Sequence, residues 1–406
     1  MKRRVGLLVL LLASTSACLD PIQSTTPQAC DEDGASCPNP DTDTEQRGLA
    51  RQVSVGSQHA CALLETGGVR CWGGVGLVGD GTRALRASAV DVRGLGSGVL
   101  ALAAGGQHTC VVVEGGTVRC WGDNSQGQLG NGNTMASLEP VDVPGAGTNV
   151  VTVASGLAHS CSLHAGGQVM CWGANDFFQL GGELVGKTPR PVPVPGLPAN
   201  LTVLAAGANH TCAATADGEA WCWGDNTYGA LGNGLASPTP EPGAVRVRGL
   251  SGPVRSLTAG LGHTCARVGM GDLECWGFND DGQLGDDTAL GSATPVHPVG
   301  LPSAMRQVRA GNSFTCALDA EGRVRCWGLN GAGQLGDGTR IHRAAPVDVT
   351  ALDDEVVDLS AGVTSTCAVM RDGQVRCWGG NATGQLGDGT QSDRVAPAVV
   401  QGLGAP

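Results

Sequence analysis

The sequence predicts an all-β fold: a seven-bladed β-propeller of repeats about 51 residues long, each with a disulfide across one hairpin. Three observations lead there. Two cysteines ten positions apart recur seven times: Cys61 and Cys71, Cys110 and Cys120, Cys161 and Cys171, Cys212 and Cys222, Cys265 and Cys275, Cys316 and Cys326, Cys367 and Cys377. A tryptophan follows the second cysteine every time, from Trp72 and Trp121 through Trp378. Successive first cysteines stand 49, 51, 51, 53, 51 and 51 residues apart, a regularity that marks a repeat architecture.

Each repeat reads as four β-compatible stretches. A turn such as Asp217-Gly218 or Asp372-Gly373 lies midway between the two cysteines, flanked by apolar or small residues, which is a hairpin signal. Cysteines placed symmetrically about that turn face one another on paired strands, with Cα atoms roughly 4.5–5.5 Å apart, within disulfide range. Zinc is the competing reading, but its paired ligands normally have two to four residues between them. In the third repeat the four stretches are Val150–Val153, Cys161–Leu163, Val169–Trp172 and Val192–Pro195. Four strands make a blade, and seven blades close a ring without a long open edge. The first repeat enters at Gln52-Val53-Ser54-Val55 and the last ends at Pro397-Ala398-Val399-Val400. These ends suggest a latch, with Ala398–Val400 pairing into the blade that carries Cys61 and Cys71.

Three segments follow: 1–17 a signal peptide, 18–48 an acidic linker, and 49–406 the propeller. Lys2-Arg3-Arg4 precede the apolar run Val5–Ala13, and Thr15-Ser16-Ala17 supply small residues at a cleavage site. Because Cys18 comes next, the segment resembles a bacterial lipoprotein signal whose cysteine receives lipid. Thr15 stands where leucine is usual, which leaves ordinary secretion as the alternative. Cysteine arithmetic favours lipid: of 17 cysteines, removing Cys18 leaves the seven pairs plus Cys30 and Cys37, which can bridge. The expected location is the outer membrane, facing periplasm or cell surface, with membrane contact through the lipid alone. The linker's acids and prolines cannot build a core.

Charge narrows the partners. The net charge of −12 becomes −15 once Lys2, Arg3 and Arg4 leave, and Lys187 is then the only lysine. Nucleic acid is therefore excluded as an expected ligand. A monomer is expected.

The repeated G-x-x-H-T-C/A-L…D-G-x-V-x-x-W-G-x-N-x-x-G-Q-L-G-x-G signature over residues 50–403 resembles the regulator of chromosome condensation repeat, which implies a seven-bladed propeller; the paired cysteines depart from the family's founder. The family's eukaryotic founder exchanges guanine nucleotides on a small nuclear GTPase. That activity is not carried over, because an exported chain meets no such GTPase and no repeat holds a large insertion resembling the family's wedge. Secreted bacterial inhibitors of β-lactamase use a similar propeller without catalysis.

Each candidate site competes with a structural role. Gly181–Thr188 (G-G-E-L-V-G-K-T) matches a phosphate-binding loop formally, but Pro189, Pro191, Pro193 and Pro195 forbid the helix such a loop opens. His59, His108, His159, His210 and His263 share one repeat position, where Phe314 and Ser365 complete the seven. They are expected to hydrogen-bond turns within their own blades rather than to hold a metal. The repeated tryptophans are expected to pack between blades, and Trp221, which replaces an arginine of other repeats, to be exposed. Phe177, Phe178 and Tyr228 lie in matching loops of adjacent repeats, and Phe178 replaces a glycine. In a chain with four phenylalanines and one tyrosine, they and Trp221 are the candidate partner-binding residues.

No H-E-x-x-H, G-x-S-x-G or isolated acid pair stands out, and no catalytic residue, metal or cofactor is expected. The expected function is a non-enzymatic protein-binding scaffold or inhibitor-like propeller of the cell envelope. The alternatives are a carbohydrate- or cell-wall-binding propeller and, further off, a lyase or hydrolase using the central channel.

Overall fold

The computed structural model describes residues 48–182, 186–352 and 355–403. The chain divides into residues 1–41 and 42–406, and every described residue belongs to the second unit. The signal peptide, Cys18, Cys30 and Cys37 lie outside the described residues.

Each repeat folds into one antiparallel sheet whose four strands are neighbours in sequence order. In blade 1 they are Ala50–Val55, His59–Leu64, Val69–Gly73 and Arg86–Asp91. The innermost strand of each blade lines a central channel, and the outermost is half-exposed, as in Arg86–Asp91. Blade 7 repeats the plan with Val356–Ala361, Ser365–Met370, Val375–Gly379 and Arg394–Val399.

The expected cysteine pairs face one another in register across the second and third strands of every blade. Cys61 lies opposite Cys71, Cys110 opposite Cys120, Cys161 opposite Cys171 and Cys212 opposite Cys222. Cys265 lies opposite Cys275, Cys316 opposite Cys326 and Cys367 opposite Cys377. All seven pairs are disulfides, with Cα atoms 4.0–4.2 Å apart rather than the 4.5–5.5 Å expected. This close approach belongs to the non-hydrogen-bonded kind of pair. The third strand must end in glycine. Gly122 has φ 105°, and a Cβ there would lie 2.5 Å from the Gln107 carbonyl oxygen.

Blade 3's outer strand differs from expectation, running Thr188–Pro193 rather than Val192–Pro195. Val192 does pair with Cys171, but the ladder extends upstream past a bulge to Gly173 opposite Thr188. Pro189, Pro191 and Pro193 are tolerated because this is an edge strand, where no further ladder needs their missing N–H groups. The same strand occupies the place of the helix that a phosphate-binding loop at Gly181–Thr188 would require.

Alternation of side chains along each strand gives every blade two apolar faces. Each blade's disulfide packs against the tryptophan of the next: Cys61 and Cys71 with Trp121, Cys110 and Cys120 with Trp172, and so round to Cys367 and Cys377 with Trp72. All seven tryptophans are fully buried. Each indole donates its N–H to a backbone carbonyl of the preceding blade's loop, as Trp172 Nε1 does to Gln128 (2.8 Å) and Trp72 Nε1 to Gln385 (2.9 Å).

The latch does not form. Ala398 pairs with Cys377 in its own blade, and blade 1 builds its outer strand from Arg86–Asp91. Every repeat already contains its own outer strand, so the chain ends leave nothing to exchange. Ring closure instead uses the contact found at the other junctions. The Gly389 N–H donates to Ala87 at the seam (2.8 Å), just as Gly81 donates to Leu138, Gly132 to Pro189 and Gly338 to Val395. Beyond it, Ala89 donates to the Gln401 carbonyl (2.9 Å), and Arg70 Nη1 to that of Gly402 (2.8 Å).

Candidate functional site

The loops joining third to fourth strands share one end of the ring with the turns that follow the innermost strands. Their frame is a buried asparagine. In blade 6, Asn330 Oδ1 accepts the Leu335 N–H (3.0 Å), while its Nδ2 donates to Asp337, Thr339 and the Ile341 carbonyl. Asn124, Asn226, Asn279 and Asn381 repeat the clasp. A second restraint is an aspartate gripped by an arginine six residues on: Asp80–Arg86 (2.7 Å), Asp337–Arg343 (2.9 Å) and Asp388–Arg394 (2.7 Å). Burial works to raise these carboxyls, but hydrogen bonds from threonine and the arginine outweigh it and hold all three below the usual range. The loops are therefore fixed platforms on which the remaining positions vary.

The five histidines do not bond turns of their own blades, as expected from sequence; they reach across the junctions. Nε2 of His59, His108, His159, His210 and His263 meets the hydroxyl of Thr109, Ser160, Thr211, Thr264 and Thr315 in the next blade, at 2.7–3.0 Å. Ser160, Thr211, Thr264 and Thr315 in turn donate to carbonyls of the preceding blade, those of Gln128, Gln179, Ala230 and Gln283. A hydroxyl has one hydrogen to give, so these imidazoles must donate from Nε2–H. That leaves Nδ1 a buried acceptor with no partner. Full burial lowers the pKa of each histidine, to about 3 for His59, His159 and His263 and about 4 for His108 and His210. At the seam the hydroxyl position is Ala60, and Ser365 stands where the histidine would be. At the junction before it only the histidine changes: Phe314 takes its position, while Thr366 of the next blade still donates to the Gln334 carbonyl (2.9 Å). The buried Ser365 hydroxyl at the seam has no partner.

The aromatic candidates divide into three. Phe177 and Phe178 sit half-buried at the tip of blade 3's loop. Phe178 has φ 59° where Gly127, Gly229, Gly282, Gly333 and Gly384 have φ of 73–86°. A bulky side chain in the left-handed region costs on the order of 1–3 kcal/mol. One blade on, Tyr228 is 49 % exposed and stacks on Phe278 of blade 5, ring centroids 4.6 Å apart. Its Cδ2 passes over Gly262, where a Cβ would lie 3.1 Å away. The sequence reading missed Phe278. Its signal was that three of the four phenylalanines fall in these loops; the fourth, Phe314, is buried in the histidine position.

Trp221 does not join them. It is half-buried on the third strand of blade 4, opposite Ala213 and Arg246, lining an outer groove with Leu235 and Arg246. Its indole N–H is buried without a partner.

The central channel encloses about 360 Å³ and is lined by small residues such as Ser54, Ala104, Ser155, Ala206 and Ala361. Arg309 is the charged side chain among its lining residues, and it is tied to the Leu359 carbonyl (2.8 Å) and faces Asp358 at 3.5 Å. The described channel brings together no acid–base pair or nucleophile of the kind a lyase or hydrolase needs.

Seven stapled four-stranded sheets, each packing its bridge against the next blade's tryptophan, define a repeat propeller. The chain belongs to the regulator of chromosome condensation family: the Regulator of chromosome condensation (RCC1) repeat matches residues 115–163, 166–214, 217–267, 271–318 and 321–369. A second description of the repeat also matches residues 50–74 and 356–385. The chain is 33 % identical over 285 residues to the Ultraviolet-B receptor UVR8 of Arabidopsis thaliana, covering 68 % of this chain and 64 % of the receptor. It is 32 % identical over 258 residues to the human E3 ubiquitin-protein ligase HERC2, covering 62 % of this chain and 5 % of the ligase. It thus spans less than two thirds of the length of either. Among solved structures, human WBSCR16 superposes with TM-score 0.70 at 25 % identity, covering 80 % of this chain and 88 % of that one. Yeast Prp20p superposes with TM-score 0.68 at 23 % identity over 77 % and 80 %, a likeness of fold.

Proposed function

We propose that this chain is a non-enzymatic binding propeller of the cell envelope, anchored through lipid on Cys18 and capturing a protein partner on the loop end of the ring. The observation that carries the reading is the strained Phe178 in one blade's loop and the exposed Tyr228 in the next blade's. A fold that supplies glycine at the Phe178 position in neighbouring loops has no packing need for an aromatic ring there. Rigid aromatic anchors on a fixed frame are what protein interfaces use. A glycan is the second reading, favoured by the groove beside Trp221, since a half-open indole face suits a sugar ring.

Capture from native envelope tests the first reading. Phe177→Ala with Tyr228→Ala should lose the partner that the unaltered chain retains, with the melting temperature unchanged. An identical set of captured proteins refutes it, and glycan-array binding that depends on Trp221 supports the second reading instead. Cys18→Ser should move the chain from the membrane to the soluble fraction.

A further inference from the structure

The loop ends of blades 4 and 5 form one continuous surface. Tyr228 stacks on Phe278, Trp276 Nε1 donates to the Ala230 carbonyl (2.8 Å), and the Gly234 N–H donates to Ala293 (3.0 Å). This surface exposes large apolar side chains: Tyr228 is 49 % exposed, Leu261 37 % and Leu290 76 %. The Leu290 backbone is held in place by the bond from Asn279 Nδ2 to its carbonyl (3.1 Å). Leu261 precedes Gly262, over which the Tyr228 ring passes, and Leu290 is tied to Asn279, the neighbour of Phe278. Exposed leucines beside an exposed tyrosine on a rigid frame mark an interaction surface.

The charges around it say what docks there. Residues 225–241 and 278–291 carry six carboxylates, Asp225, Glu241, Asp280, Asp281, Asp286 and Asp287, and no lysine or arginine. The other described loops that carry this aspartate neutralise it: Asp80, Asp337 and Asp388 each have their arginine. In blade 5 the arginine position is Ser292, so Asp286 keeps only hydrogen bonds from Asn279 and Thr288. Asp281 meets His342 of blade 6 at 3.3 Å, a pair that is ionic only when the imidazole is protonated. These loops therefore combine exposed apolar side chains with negative charge, and Asp286 lacks the arginine its counterparts have.

We infer that the loop end of blades 4 and 5 binds a basic segment of a partner protein, with a lysine or arginine over the Tyr228 ring and an apolar side chain against Leu261 or Leu290. This rests on the protein-binding reading above and narrows it to one sector and one chemistry. A cation over an exposed aromatic face and opposite charges on these loops supply the recognition, while anionic membrane surfaces and nucleic acids are repelled.

The test uses the full chain with its disulfides formed and three short labelled peptides alternating leucine with lysine, glutamine or glutamate. The lysine peptide should bind and the glutamate peptide should not. Tyr228→Ala, and separately Asp280→Asn with Asp286→Asn and Asp287→Asn, should each weaken binding about tenfold at low salt. The effect of the triple change should vanish near about 0.5 M salt. Asp217→Asn with Asp272→Asn, in hairpin turns at the other end of the same blades, should change nothing. Asp280→Lys, Asp281→Lys, Asp286→Lys and Asp287→Lys together, which take these loops from a net −6 to +2, should transfer preference to the glutamate peptide, a gain that misfolding cannot mimic. Failure of the lysine peptide to bind, or equal binding of all three, overturns the inference. If envelope capture still depends on Phe177 and Tyr228 in that event, the protein-binding reading stands and only the basic-segment assignment falls.

Discussion

Acidification from pH 7.5 to 5.0 should loosen the ring through its junction histidines. Each of the five is neutral in the folded chain, with its pKa lowered by burial to about 3 or 4, whereas the unfolded chain's histidine titrates near about 6.5. The sign follows from proton binding: between these values the unfolded state holds more protons, so stability is full above about 6.5 and is lost as pH falls toward the folded pKa. At pH 5.0 each histidine has surrendered roughly 2 kcal/mol, and the five together on the order of 10 kcal/mol. With about 2 cal/mol/K of unfolding entropy per residue, a ring of this size should melt about 10–15 °C lower. Calorimetry across this range measures both the shift and, from its slope, a proton uptake of between four and five. His159→Gln should keep a hydrogen bond to Thr211 and lower that uptake by about one. A melting temperature unchanged between pH 7.5 and 5.0, or a slope indifferent to His159→Gln, would refute the relay as described.

Further outcomes can be measured on the same material. Cys161→Ser with Cys171→Ser should cost at most about 3 kcal/mol in denaturant titration, because the closed loop is short and the hairpin partly persists without the bridge. Trp172→Phe should cost about 1–2 kcal/mol by removing the N–H donated to Gln128 while largely filling the same space, and Trp172→Ala about 3–5 kcal/mol. Phe178→Gly should raise stability by about 1 kcal/mol by relieving its backbone while reducing partner capture, separating the ring's value to binding from its cost to folding. A circular permutant joining residue 403 to residue 49 and opening the chain between blades 2 and 3 should fold, since each blade is made from a contiguous segment; aggregation of that permutant would contradict the closure described.

Most of the fold was legible because it is written seven times. The ten-residue cysteine spacing dictated the hairpins, and Trp-Gly after each pair dictated the face that packs against the neighbouring blade. Closure was misread because the stretch at Pro397–Val400 looked surplus, when it is simply the fourth strand of its own repeat. The histidines were misassigned for a related reason. A one-dimensional period shows which residues are equivalent but not which lie opposite across a junction, and Ser160 and Thr211 become partners of His108 and His159 only once blades stand side by side. Phe177, Phe178 and Tyr228 were visible as departures from the repeat. Phe278 was not, because it departs at a different position and meets Tyr228 only in the folded ring. Nor was the missing arginine at Ser292 visible, since the Asp–Arg grip it breaks is recognised only from its geometry.

Every junction is built from the same tryptophan and bridge, with the hydroxyl relay added at five of the seven, and none of these lies at a loop tip. Selection can therefore rewrite one loop without disturbing its neighbours, much as a type character can be changed without recasting the frame that holds it. Binding preference in such a ring can drift sector by sector, and a duplicated repeat arrives with its own staple and its own docking faces already in place.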